Sequence, residues 1–118
     1  MIRNFRDIIV WQKAHALTLE VYKITKYFPK DEMYALTSQM RRASISVAAN
    51  IVEGFTRKGR KDSIHFYNIS DASLAELRYY NLLCYDLRYI NEDQYELLET
   101  ITLEVGKVLN GWSKSQQR

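Results

Sequence analysis

Apolar positions recur along the chain with helical rather than strand spacing. Val10, Ala14, Leu17, Val21, Ile24 and Phe28 follow one another at steps of four, three, four, three and four, a heptad seam that predicts a helix ending at Phe28-Pro29. Asp7 is its candidate cap. Trp11, Thr18, Tyr22 and Thr25 flank the seam, where they either wrap the edge of a bundle or meet another chain. Tyr95, Leu98, Thr102, Val105, Leu109 and Trp112 form a second seam, and Asn91 with Gln94 ahead of it has the spacing of a capping box. Gly106 sits inside that seam at a cost of about 1 kcal/mol relative to alanine, and Gly111 with the polar residues after it is expected to end the helix.

Between the seams lie two helical patterns of mixed character. Pro29-Lys30-Asp31-Glu32 is a short breaker in which Asp31 can cap a second helix. That helix runs from about Glu32 to Gly54 or Arg57. Placed at about 100° per residue, Met33, Leu36, Met40, Ala43, Val47 and Ile51 form a core flank beside Ser44 and Ala48. Gln39, Arg42, Ser46, Asn50, Glu53 and Arg57 form a polar stripe on the other side, bordered by Ile45, Ala49 and Val52. The helix therefore faces three environments, and the small apolar strip calls for a partner. The run Ser44, Ser46, Ala48, Ala49 lets another helix approach closely.

Asp62 or Ser63 can open a third helix reaching about Leu87. Phe66, Ser70, Ser73, Leu74, Leu77, Asn81 and Cys84 share one face, whereas Tyr67, Tyr79, Tyr80, Tyr85 and Tyr89 spread around the cylinder. Ser70 and Ser73 mark a close helix approach, their hydroxyls expected to bond back to the preceding turn. Four amphipathic helices with short links predict an all-α protein, an antiparallel up-down-up-down four-helix bundle in one domain over residues 1–118.

Composition supports this architecture. The chain has one proline and four glycines in 118 residues, which leaves little room for turns. Its single cysteine, Cys84, cannot pair internally, and no leader-like apolar run opens the chain. A cytoplasmic protein without a membrane span is expected. The net charge of +3 is unevenly spread. Residues 41–61 hold Arg41, Arg42, Arg57, Lys58, Arg60 and Lys61 against Glu53 alone. That segment suggests an RNA or DNA partner, contacted by those six side chains; the alternative is a solvated helix end and loop.

Candidate chemistry is sparse. A di-metal bundle needs inward Glu-x-x-His pairs, but Gln12 and Asp62 stand three residues before His15 and His65. Both histidines lie away from the seams, and Cys84 falls on a core face where a thiol is inert. No phosphate loop, nucleophile elbow or zinc-binding H-E-x-x-H motif occurs. The expected protein is not an enzyme and needs no metal or cofactor. Glu53 and Arg57 either form a surface pair or continue the stripe Gln39, Arg42, Ser46, Asn50, which beside Ile45, Ala49 and Val52 suits an interface between identical chains. The basic loop then gathers at one rim of the oligomer. The rival is a protein-binding or purely structural scaffold in which Arg42, Asn50 and Glu53 hold subunits together.

Several motifs carry a family resemblance. Asp7-Ile8-Ile9-Val10-Trp11-Gln12-Lys13-Ala14, Phe28-Pro29 with Glu32, Ser38-Gln39-Met40-Arg41-Arg42-Ala43 and Asn50-Ile51-Val52-Glu53-Gly54-Phe55 resemble the 23S ribosomal RNA intervening-sequence proteins. Phe66, Ser73-Leu74-Ala75-Glu76-Leu77 and Leu87-Arg88-Tyr89-Ile90 extend the likeness over nearly the whole chain. The resemblance implies a bacterial, cytoplasmic four-helix bundle, seen in members as a ring-shaped homopentamer, and supplies no established activity. A related bundle, the accessory variability determinant of diversity-generating retroelements, is a basic pentameric barrel that binds nucleic acid and a reverse transcriptase. Val52-Glu53-Gly54 stands where the family usually has Ala-Glu-Gly, and Tyr34-Ala35-Leu36 where Tyr-Gly-Leu is common.

Overall fold

The computed structural model describes residues 1–117. Four helices, α1 (Ile9–Thr25), α2 (Leu36–Thr56), α3 (Arg60–Asp86) and α4 (Glu92–Ser115), pack into an all-α bundle of 44 × 25 × 21 Å. Cross-helix pairs fix their directions. Thr25 meets Arg41 while Thr18 meets Ser44, and Ser46 meets Ser73 while Val47 meets Ser70. Tyr67 packs against Trp112 while Tyr85 stacks on Tyr95, and Lys13 pairs with Glu104 and Arg78 with Glu99. Each neighbour is antiparallel, giving the up-down-up-down order.

Both heptad seams face the core, with Val10, Ala14, Leu17, Val21, Ile24 and Phe28 buried from α1 and its exit turn, and Leu98, Thr102, Val105 and Leu109 from α4. On α2, Leu36, Met40, Ala43, Val47 and Ile51 are buried as the spacing requires. Met33 is not, since α2 begins three residues after it and leaves its side chain 46% exposed.

The helix ends depart most from expectation. Asp7 does not cap α1. It closes a short 3₁₀ turn, Phe5–Asp7, in a reciprocal capping box with Asn4, and the N–H groups of Arg3 and Asn4 hold its carboxyl below the usual carboxylate range. Buried Ile8 precedes α1 instead. α1 stops at Thr25, and Phe28 reaches the core through a final turn in which its N–H donates to the Thr25 carbonyl at 3.1 Å. Asp31 does not cap α2 either; Glu32 accepts from the Leu36 N–H at 3.4 Å. α3 starts at Arg60, behind Gly59, and α4 continues through Gly111 to Ser115. The capping box of Asn91 and Gln94 forms as expected, with both bonds at 2.8 Å.

The α2–α3 contact is close because small hydroxyl residues line it. Ser70 donates to the Val47 carbonyl at 2.7 Å, and the Ser46 and Ser73 hydroxyls lie 2.7 Å apart. These serines bond across the seam rather than back along α3, since the neighbouring backbone is nearer than a helix carrying large side chains could come.

Candidate nucleic-acid interface

The up-down order brings four segments to one end of the bundle: the start of α1, the end of α2, the start of α3 and the end of α4. Arg57, Lys58, Arg60 and Lys61 are all exposed there. Arg57 donates to Glu53 at 2.8 Å and holds its guanidinium 4.4 Å from the centre of the Phe66 ring. Arg60 reaches the Gln117 carbonyl at 2.7 Å, tying α3 to the end of α4. Lys58 and Lys61 form no ion pair among the described residues. Arg60, Lys61, Ile64 and Gln117 line an open groove of about 630 Å³. Gly59 offers no side chain to cap α3, so first-turn N–H groups of that helix face the same end.

Three further cations join this pole. Arg3 and Arg6 precede α1, and Lys114 lies in the last turn of α4. They are remote in sequence from the loop, and the antiparallel topology is the signal that finds them. Against the seven basic side chains stand Asp7, Glu53 and Asp62, of which Asp7 is bound to backbone and Glu53 to Arg57.

Arg41 and Arg42 are elsewhere. Sixteen residues of helix separate Arg41 from Arg57, about 24 Å along the axis. The Arg41 side chain donates to the Thr25 hydroxyl at 2.9 Å and covers the Tyr22 ring at 4.6 Å. Arg42 is exposed on the flank of α2 that faces α3, beside Gln39, Ser46, Ser73 and Glu76. The six-residue basic segment is therefore two separate groups in space.

The expected interface stripe also divides. Ser46 and Asn50 are half-buried in the α2–α3 seam, where the Asn50 amide donates to the Ser46 carbonyl at 2.8 Å and to its hydroxyl at 3.0 Å. Gln39, Arg42, Ala49 and Glu53 keep surface in solvent, Ile45 is 44% exposed, and Val52 is half-buried. Ile45 and Ala49 thus leave apolar surface in water on one helix face.

Among the described residues, titratable side chains do not converge on one site. Burial pushes the Cys84 thiol up to about 12, so no thiolate forms near neutrality. His15 stacks on Trp11 and His65 meets the edge of Phe66, on different helices. Among the described residues no group of three His, Cys, Asp or Glu side chains is placed to hold a metal ion. No helix there is long and apolar enough to cross a membrane.

Residues 6–111 match the family model described as 23S rRNA-intervening sequence protein. Among solved structures, a protein of unknown function from the S23 ribosomal protein family of Bacteroides thetaiotaomicron VPI-5482 is similar, at 25% identity and a TM-score of 0.83 over 90% of this chain and 99% of that one. No curated protein matches.

Proposed function

The chain belongs to the 23S rRNA-intervening sequence protein family, and from the geometry of its basic pole we propose a homo-oligomeric helical module that engages RNA or DNA backbones without reading sequence. The observation that carries this is the exposed group Arg57, Lys58, Arg60 and Lys61, with Lys58 and Lys61 in no ion pair among the described residues and beside an uncapped helix start. Such a surface attracts phosphate through charge and backbone donors. Lysine and arginine heads beside backbone N–H groups suit phosphate oxygens, so backbone contact is the fitting mode.

Ile45 and Ala49 support assembly, because the bundle leaves their apolar surface bare and it suits a second copy. A ring, five-membered as the resemblance implies, sets several basic poles on one rim. Weak single contacts then add through effective concentration.

An electrophoretic shift assay across a salt series tests the proposal. Four phosphates contacted per chain give a log-log salt slope of about −3.6 on duplex, and Lys58→Ala/Lys61→Ala reduces its magnitude by about 2. Absence of any shift at low salt overturns it.

A further inference from the structure

The chain's two histidines stand on different helices yet share one arrangement. His15, in the second turn of α1, is exposed, and its imidazole stacks on the half-buried Trp11 indole with ring centres 4.9 Å apart and planes 8° from parallel. Phe5 meets the same indole in a T-shaped contact, also at 4.9 Å. Gln12 fixes this group to the lead-in, its amide donating to the Arg6 carbonyl at 2.7 Å. Trp11 covers one face of the imidazole, and the exposed residue keeps the other in water.

His65 occupies the second turn of α3, is exposed as well, and meets the Phe66 ring at 5.3 Å between centres. Arg57 lies over that same Phe66 ring at 4.4 Å, and its bond to Glu53 at 2.8 Å holds the guanidinium there. Both histidines are within about 10 Å of their helix starts along the axis, and both starts lie at the basic pole. Arg3 and Arg6 precede the first station, while Lys58, Arg60 and Lys61 precede the second. α1 and α3 are diagonal in the bundle, so the two stations flank the pole from opposite sides. A single exposed ring is ordinary; two flat exposed rings, each backed by a second aromatic and set beside cations, form a surface of defined chemistry.

We propose that these two stations stack unpaired nucleobases, which makes single-stranded RNA or DNA the ligand of the basic pole. The inference rests on the nucleic-acid reading of that pole and names the form of nucleic acid it takes. A single strand offers both things the surface can use: phosphates for the lysine and arginine heads, and bare base faces for the imidazole rings and the Arg57 guanidinium. Inside a duplex each base is already covered on both faces by its neighbours, so the same rings add nothing to binding. Stacking tolerates every base, in keeping with a surface that does not read sequence. Trp11 and Phe66 order the rings before the strand arrives, so little side-chain freedom is lost on binding.

Fluorescence anisotropy on the full chain tests this with three labelled DNA probes of equal length: a thymine strand, the same strand lacking its bases, and the thymine strand annealed to adenine. The thymine strand binds tightest, and His15→Ala and His65→Ala each weaken it by about tenfold, the effect of losing one stacked base. Neither variant alters binding of the abasic strand or the duplex, and His15→Phe, which keeps a flat ring, binds the thymine strand as the parent protein does. Lys58→Ala/Lys61→Ala weakens all three. Both histidines are exposed, so the variants fold, which circular dichroism verifies. Salt-dependent binding that is equal for the thymine and abasic strands overturns the stacking and leaves the phosphate contacts standing, whereas absence of binding to every probe overturns both. Tighter binding of the duplex, or indifference of the thymine strand to both histidine variants, overturns the proposal as well. So does a fall in assembly mass on His15→Ala, measured by light scattering, because the ring is then covered by another copy.

Discussion

Tyr67 of α3 lies against Gly54 of α2 so closely that a β-carbon at position 54 would collide with the Tyr67 Cε1 and sit 2.8 Å from both Cδ1 and Cζ of the same ring. Both residues are buried, and the Tyr67 ring meets Trp112 of α4 in a T-shaped contact with ring centres 6.4 Å apart. One missing side chain on α2 thus lets an aromatic from α3 fill the core near the basic pole and brace three helices.

Gly54→Ala gains about 1 kcal/mol of helix propensity but forces a buried ring to move, an overpacking cost of about 1–3 kcal/mol. Net destabilisation is expected in urea unfolding. Because Tyr67→Leu removes the obstruction, the double variant loses less than the sum of the two single changes. Strict additivity would show that the ring does not impose the glycine.

The legibility of each residue depended on whether its surroundings came from its own helix. The seams of α1 and α4 were readable because each buries one face, so periodicity alone names the core. Tyr67 was not readable as core, because the space it fills is made by Gly54 on another helix. The serines of α3 announced a close approach through their size, but the bonding direction depends on where the α2 carbonyls lie. The basic cluster was misleading for a similar reason. Counting along the chain merges Arg41 with Lys61, whereas helical rise separates them and topology substitutes Arg3, Arg6 and Lys114.

Helix ends were the least readable feature, and α3 shows why. The chain leaves it through a Schellman closure in which Tyr89 donates to the Cys84 carbonyl and Arg88 to the Tyr85 carbonyl, both at 2.9 Å. The residue in the left-handed position is Arg88, at φ 64°, where glycine would be the usual signal. A side chain there costs about 1–2 kcal/mol, partly offset because glycine is freer when unfolded. Arg88→Gly is therefore expected to stabilise the fold by about 0.5–1 kcal/mol, read as a shift in denaturant midpoint at constant slope. A loss of stability would mean that the arginine side chain contributes more than its backbone strain costs.

Alkaline stability has a defined origin. Below pH 9 the Cys84 thiol is protonated whether folded or unfolded, and its contribution is fully present. Above that, the unfolded chain releases the proton at the ordinary value of 9.0, while burial delays release in the folded state to about 12. The folded state then holds more protons, so stability falls as pH rises through this window. Tyr89, held up first by its hydrogen bond to Glu32, and Tyr95, held up first by burial and then by Glu99, add to the decline above 10. Stability measured by unfolding curves at successive pH values should drop from pH 9 upward, and Cys84→Ala should flatten the portion between 9 and 10. The same decline in the variant would remove the thiol as its cause.

Ile45 offers the sharpest test of assembly. Its side chain is 44% exposed on a single chain, so a carboxylate there stays hydrated and the bundle keeps its core. In an oligomer that covers this face, the same carboxylate is stripped of water without a partner, at a cost of several kcal/mol per ion. Ile45→Glu and Ala49→Glu should therefore lower the mass measured by light scattering while circular dichroism stays that of the parent protein. Since the penalty is repeated at every interface of a ring, dissociation should be complete at concentrations where the parent protein remains assembled. A variant with unchanged mass would place the contact on another face and leave this strip of α2 in solvent.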